Sequence, residues 1–583
     1  MSSTLPPPPT PPPSGPPSGP PSGPPSGPPE YLESGGGAPV PPKPRSGSAV
    51  KKGLLVAGGV VGLAAIGVGA WAAYSFITAG PQPAEALPAD TLGYVSIDLD
   101  PSGGQKIEAL RTLNKFPAFE DEVGIDTDDD IRKAIFDKIQ DEADCKGLDY
   151  ADDIEPWLGD RAAIAAVDVG GDNPDPVFVL QVKDADKADA GLDKIKACGD
   201  SGDVGWAISG DWAVIAESDD IADDVVKATE KGSLADDEDF QHWTDEAGDA
   251  GVVTLYAAPA AGDYLAEHAD DLSLFGLSAD DYACSVIPPP SPSDLDDDTT
   301  SPGDSGPFDE CGSSDPSSSV PDGFKDKLRD FKGMAATIRF DDGAIELEAA
   351  GDNTVTGTAF LSGGGTADVV TSLPGDTGAV FGLGFADGWF TDLVDQVAPY
   401  TGQTADELLD MMSDTSGLDL PDDAETLAGD SAAVVLGSDL DPEAFFASPD
   451  GSDVPVAVKI KGDPDEIEKV LDKLRDMAGP DAGILSSDSD GDTIVIGPSD
   501  DYRADVLEDG DLGDNDVFKD TVREADKAST ILFVNVDEFE DAIKEAAGDE
   551  DDILENIEPI SGFGITGWVE DDVTHAVVRL TTS

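Results

Sequence analysis

The chain has 583 residues, more than one buried core accommodates, so two or more domain-sized units are expected. Its 34 basic and 122 acidic residues give a net charge of −88, and a surface of that sign repels phosphate backbones, which excludes nucleic acid as a partner. Hydrophobic residues still make up 39% of the chain, enough to build packed cores and to exclude disorder throughout.

Residues 6 to 29 are nearly all Pro, Ser and Gly, with Pro-Pro-Ser-Gly repeated four times in succession from Pro12 to Gly27. Such a segment buries no core and favours polyproline II, so residues 1–52 are read as a disordered proline-rich tail. A docking strip for an aromatic-lined domain is the alternative. From Gly53 to Ala79 the chain runs for 27 residues without a charge, long enough for a transmembrane helix. Lys43, Arg45, Lys51 and Lys52 precede this span, whereas Glu85 and Asp90 follow it. Positive charge stays inside, so the tail is predicted to be cytoplasmic, with everything beyond about residue 80 outside a plasma membrane crossed once. The tail takes four of the basic and two of the acidic residues and the span takes none. The 504 residues after it therefore hold 30 basic and 120 acidic groups. A carboxylate-dense surface of this kind keeps an exposed domain soluble, and weak association with divalent cations is expected of it.

The outer region repeats itself. Leu87-Pro88-Ala89-Asp90-Thr91 returns as Leu373-Pro374-Gly375-Asp376-Thr377, each before a strand-like run, and Leu158-Gly159-Asp160 is matched by Ala428-Gly429-Asp430. At a constant offset of 278, Lys183 pairs with Lys461, Leu234 with Leu512, Phe240 with Phe518, Val253 with Ile531, and Leu255 with Phe533. Gly333 to Asp342 corresponds to Gly562 to Asp571 at offset 229, so the first copy carries extra residues, and the Pro/Ser/Asp-rich stretch near 287–321 is read as a flexible insertion. Within each copy, strands at Trp212 to Ala216 and Thr493 to Ile496 alternate with helices at Ala185 to Ala197 and from Pro464, the latter closed by Gly479. The expected fold is α+β: two duplicated units, 87–351 and 373–583, with mainly antiparallel sheets and helices on one face. A cleft between the two copies is the expected ligand surface.

All four cysteines, Cys145, Cys198, Cys284 and Cys311, fall in the first copy, outside the predicted membrane. An even count in an oxidising compartment suggests disulfides. Cys284 with Cys311 and Cys145 with Cys198 is the favoured pairing, with other connectivities and free thiols open. No catalytic, cofactor or metal residues stand out. Gly303-Asp304-Ser305-Gly306-Pro307 looks like a serine-protease nucleophile segment, yet it sits in the insertion without a histidine in a matching context. Asp488-Ser489-Asp490-Gly491-Asp492 looks like part of a calcium loop, but the position of the bidentate acid is Gly497, so a hairpin turn is preferred. Only three histidines occur, no phosphate loop is present, and carboxylates are too abundant for spacing to single out a pair.

The run Leu87 to Thr91, followed by Tyr94-Val95-Ser96-Ile97-Asp98-Leu99-Asp100-Pro101 and by Gln105-Lys106 to Phe116-Pro117, together with the anchor before it, resembles a family of actinobacterial membrane-anchored proteins carrying domain of unknown function 3352. The resemblance extends from about Pro81 to Ser583. It implies an envelope-facing protein and supplies no site residues. The reading is a non-enzymatic envelope protein whose acidic outer domain binds another envelope protein, a cell-wall component or a ligand. The alternative is a cell-wall hydrolase using a carboxylate pair.

Overall fold

The computed structural model describes residues 81–583 except 99–103, 123–131, 134, 138–139, 141–146, 172, 199–203, 269–321, 354–362, 402, 440–451, 453, 541–542 and 545–550. These all belong to one compact unit, Ala49–Ser583. The predicted tail, span and insertion lie outside the described residues. Among the described residues no helix is long and apolar enough to cross a membrane.

In chain order the strands are β1 (Thr91–Asp98), β2 (Leu158–Val167), β3 (Asp175–Val182), β4 (Gly205–Ser209), β5 (Trp212–Ala216), β6 (Val253–Ala257), β7 (Met334–Asp341) and β8 (Ala344–Asp352). There follow β9 (Thr377–Gly384), β10 (Ser431–Gly437), β11 (Val456–Lys461), β12 (Ser487–Asp490), β13 (Thr493–Ile496), β14 (Thr530–Asn535), β15 (Ile560–Glu570) and β16 (Val573–Thr582). All sixteen form one sheet of order β12-β13-β11-β10-β9-β14-β15-β16-β8-β7-β6-β1-β2-β3-β5-β4. Read from either edge inward the order is the same, 4-5-3-2-1-6-7-8 in half one and its counterpart, shifted by eight, in half two. Mixed helix and antiparallel sheet make the fold α+β.

The halves meet through their last strands. β8 and β16 pair antiparallel from Ala344↔Thr581 to Asp352↔Val573. Sequence equivalents here differ by 229, so Glu348 faces its own equivalent, Val577, and a pseudo-twofold axis passes between them. Two strand edges with unpaired N–H and C=O groups satisfy each other, producing a continuous ladder where a cleft between separate units was expected.

The repeated Leu-Pro-x-Asp-Thr motif is a structural clamp. Thr91 Oγ1 donates to the Pro88 carbonyl at 2.7 Å and Thr377 Oγ1 to the Pro374 carbonyl at 2.7 Å, fixing the turn into β1 and β9. Leu87 and Leu373 are fully buried, and their carbonyls accept from the N–H groups of Leu234 and Leu512. Asp237 and Asn515 then cap the helices Glu238–Glu246 and Asp516–Thr521 in the same way, through the N–H groups of Phe240 and Phe518.

Helices cover both faces, not one. On the first face, Tyr94, Ala163, Val177 and Val214 pack under Val225, Leu234 and Trp243, and Val380, Ala433 and Phe533 pack under Val370, Leu512 and Phe518. On the second face, Ala109, Leu110 and Leu113 of the helix Gly104–Leu113 cover Val253, Ile338 and Phe340, and Ile467 and Leu471 of the helix Pro464–Ala478 cover Ile460, Ile494 and Ile496. The strands are apolar at successive positions, as in Trp-Ala-Val-Ile-Ala of β5, so both faces need cover.

One equivalence shifts. Val95 pairs with Leu255 in half one and its counterpart Phe381 with Leu532 in half two, so β6 and β14 align at offset 277, matching Leu255 with Leu532 instead of Phe533. Half one carries one more residue between the capped helix and the strand. A one-residue slip turns every side chain to the other face.

Candidate functional site

The pseudo-twofold axis passes through a polar cluster on the first face. Cross-strand pairing sets Arg339 of β7 opposite Glu346 of β8, and Glu346 opposite Arg579 of β16. Arg579 is 2% exposed and Glu346 5%, so the pair is removed from water. Arg579 Nη1 donates to Glu346, Nε to the Asp520 carbonyl at 2.6 Å and Nη2 to the Asp341 carbonyl at 3.1 Å. Arg339 Nε donates to Glu346 Oε1 at 2.8 Å, its Nη2 to Glu348, and its Nη1 to the Asp249 carbonyl at 2.9 Å. Arg523 Nη2 reaches Asp341 Oδ2 at 2.6 Å. Burial works against the Arg339 charge, and the carboxylates of Glu348 and Glu346 outweigh it, holding the guanidinium above its ordinary value. Three arginines thus balance three carboxylates, each in hydrogen-bonding contact with an opposite charge. Such a network fixes register and orientation between two elements and leaves no carboxylate free for acid–base work.

Beside this network the indole of Trp568 stacks on His575 at 4.9 Å between centroids, Lys527 Nζ lies 5.5 Å from the indole centroid, and His575 Nε2 sits 3.8 Å from Glu246. The Trp568 Nε1 is buried and has no hydrogen-bond partner among the described residues.

A second arrangement resembles a nucleophile and its base. Lys459, buried on β11, places Nζ 3.0 Å from Ser372 Oγ. Burial pushes the lysine below its ordinary pKa. The Ser372 hydroxyl, however, donates back to the Asp368 carbonyl at 2.7 Å, and Lys459 donates to the Ser372 carbonyl at 2.9 Å. This is a lysine capping the end of the short helix Thr366–Thr371. An open, mainly polar depression of about 660 Å³ lies among Glu85, Glu230, Lys231, Ser233 and Asp236. Within it Ser233 Oγ donates to Asp236 Oδ2 at 2.8 Å, an exposed bond between residues three apart at the start of the short helix Leu234–Asp236.

The second face carries the feature that packing leaves unexplained. Leu532, Phe381, Val434 and Val458 stand directly opposite one another across four adjacent interior strands, β14, β9, β10 and β11. Phe381 is 42% exposed and Val434 48%, and Leu532, Phe381 and Val434 belong to no packed core cluster. Half one has a similar row, Leu255, Val95 and Ile164, in which Val95 is 40% exposed. Together these side chains form a contiguous apolar patch open to water in mid-sheet. The row was legible in the sequence only as strand-like runs, because its pairing is set by long-range register.

Of the disulfide candidates, Cys145, Cys284 and Cys311 lie outside the described residues; Cys198 ends the helix Ala185–Cys198, and its side chain is likewise outside them. The protease-like segment at Ser305 also lies outside the described residues. The acidic run at Asp488 to Asp492 is a β12–β13 hairpin turning at Gly491, whose φ is +61°, and Asp488 pairs with Arg503 at 2.9 Å. Among the described residues, no group of three or more His, Cys, Asp or Glu side chains is placed to hold a metal ion.

No curated protein and no solved structure matches the chain. A family model described as "Protein of unknown function (DUF3352)" matches residues 54–206, from the start of the apolar segment into β4, a narrower stretch than the sequence resemblance. Over those residues the chain carries this domain of unknown function.

Proposed function

We propose that this chain is a non-enzymatic, single-pass membrane protein of the actinobacterial envelope, with its tail in the cytoplasm, whose acidic outer domain, built from two duplicated units, binds a partner outside the membrane. The uncharged 27-residue segment 53–79, with basic residues before it and acidic ones after, supports the anchor and its orientation. The observation that carries the binding role is the open apolar row through Phe381 and Val434. Nothing in a purely scaffolding domain requires a phenylalanine exposed in mid-sheet, and removing such a row from water upon association is favourable.

The test places a photo-crosslinking amino acid at position 381 and, as a control, at the exposed position 500, in intact envelopes. A discrete adduct from position 381 and none from position 500 is expected. Equal labelling from both positions, or none from position 381, overturns the binding role.

A further inference from the structure

The exposed row on half two is bounded by elements that say what fits it. β9, β10, β11 and β14 are interior strands, with ladder partners on both sides, so an incoming β-strand has no free edge to extend. The row is an open floor, whereas an acyl chain needs an enclosed pocket to remove most of its surface from water. Val458 of β11 already packs against the neighbouring helix cluster, so the open floor spans β14, β9 and β10, about 10 Å at roughly 4.8 Å spacing, against a helix diameter of about 10–12 Å. Immediately beside the floor, the helix Pro464–Ala478 already uses this mode, laying Ile467 and Leu471 on Ile460, Ile494 and Ile496 of the same face. Charge restricts the occupant further. The 504 residues beyond the apolar segment carry 120 acidic against 30 basic groups, so a ligand's outward side gains by being basic.

We propose that the face of half two centred on Phe381 and Val434 docks an amphipathic α-helix of a partner protein, whose apolar stripe covers the row and whose opposite side is basic. This rests on the binding role proposed above and adds the chemistry of the partner. The floor residues make the affinity, and the acidic shell selects the sign of charge and speeds encounter. Phe381 is the anchor, being the one aromatic side chain in the row.

The experiment uses the full chain reconstituted in phosphatidylcholine nanodiscs, with empty nanodiscs as the blank. Three fluorescein-labelled peptides serve as probes: a leucine/lysine peptide of about 14 residues with leucines at helical spacing, the same composition in scrambled order, and a leucine/glutamate peptide at helical spacing. Fluorescence anisotropy is expected to show the first binding at least tenfold more tightly than either of the others. Phe381→Asp and Val434→Asp are each expected to weaken it tenfold or more. Val434→Thr, which keeps the branched shape a strand favours, is expected to weaken binding about threefold with an unchanged circular dichroism spectrum, separating lost docking from lost folding. Equal binding of the scrambled peptide would show that the acidic shell alone attracts cations, and unchanged affinity in all three variants would place binding elsewhere. Either result overturns the proposal. So does saturable binding of a fluorescent fatty acid that the helical peptide fails to displace. If position 381 crosslinks in envelopes while the peptides are not discriminated, the binding role stands and the helical partner falls. If position 381 does not crosslink, the binding role itself fails.

Discussion

Replacing Arg579 by alanine tests whether the junction network joins the two halves. In the folded chain this guanidinium is almost wholly removed from water and donates to the Glu346 carboxylate and to the carbonyls of Asp520 and Asp341. Its removal leaves those carbonyls without this donor and Glu346 with one of its two close arginines, Arg339, while Arg523 Nε stays 3.7 Å away. Truncating one member of a buried pair costs about 3–5 kcal/mol, here toward the lower end because Glu346 keeps Arg339 while losing the donor that faces it across the seam. The double variant Arg579→Met with Glu346→Leu removes both charges and fills the space with apolar atoms, and Arg339 keeps Glu348 and the Asp249 carbonyl. Its expected cost is under about 2 kcal/mol, giving a favourable coupling of about 2 kcal/mol or more between the two sites. Urea titration followed by tryptophan fluorescence measures both variants against the parent. A cost below about 1 kcal/mol for Arg579→Ala, or a double variant no more stable than the single one, would refute the reasoning.

Asp423 is buried, and although burial opposes its charge, Lys473 at 2.6 Å and the Asp419 N–H hold its pKa below the ordinary carboxylate value. Its stabilisation is therefore full above the unfolded carboxylate pKa and lost as pH falls through the lowered folded value. Asp423→Asn should cost about 1–3 kcal/mol near pH 7 and progressively less as pH falls through the lowered folded value, read from urea midpoints across that range. Thr91→Val and Thr377→Val each remove the same hydroxyl bond to a proline carbonyl, so matched losses of about 1 kcal/mol are expected in thermal unfolding. Gly333 has φ +117° and its missing Cβ would overlap the Trp243 indole, whereas Gly388 has φ +77° with open space around it. Gly388→Ala should cost about 1–2 kcal/mol from backbone strain alone and Gly333→Ala clearly more.

The duplicated motifs were legible because packing constrained them. Leu87 and Leu373, Leu234 and Leu512, and Phe240 and Phe518 fill corresponding places beneath the first face, and a buried position tolerates few letters. β5 and β13 were bounded by their turn glycines, Gly210 and Gly491, both at positive φ. The register of β6 is not legible because Ile531-Leu-Phe-Val is apolar at every position and Val253-Thr-Leu-Tyr at all but Thr254, so neighbouring alignments look equally good. The joining of the halves was not legible either. Whether β8 meets β16 or solvent depends on a contact more than 200 residues away in sequence, and each strand alone reads as an ordinary alternating strand. The exposed row had the same obstacle, since Phe381 and Val434 read as core letters until the covering helices were placed.

The placement of the pseudo-twofold axis has a consequence for how the two halves diverged. If half one met a second copy of itself through β8, Glu348 would sit against another Glu348, and each Glu346 would lie across from Ala350, the residue whose counterpart in this chain is Arg579. Two carboxylates would face each other at the axis, each with the Arg339 of its own half and with no cation contributed from across the seam. Within one polypeptide the two sides are free to differ, and the axis position holds Val577 while the neighbouring one supplies a guanidinium. The charge attraction across the seam exists only because symmetry was broken there. An excised half one therefore has an edge suited to half two and ill-suited to itself.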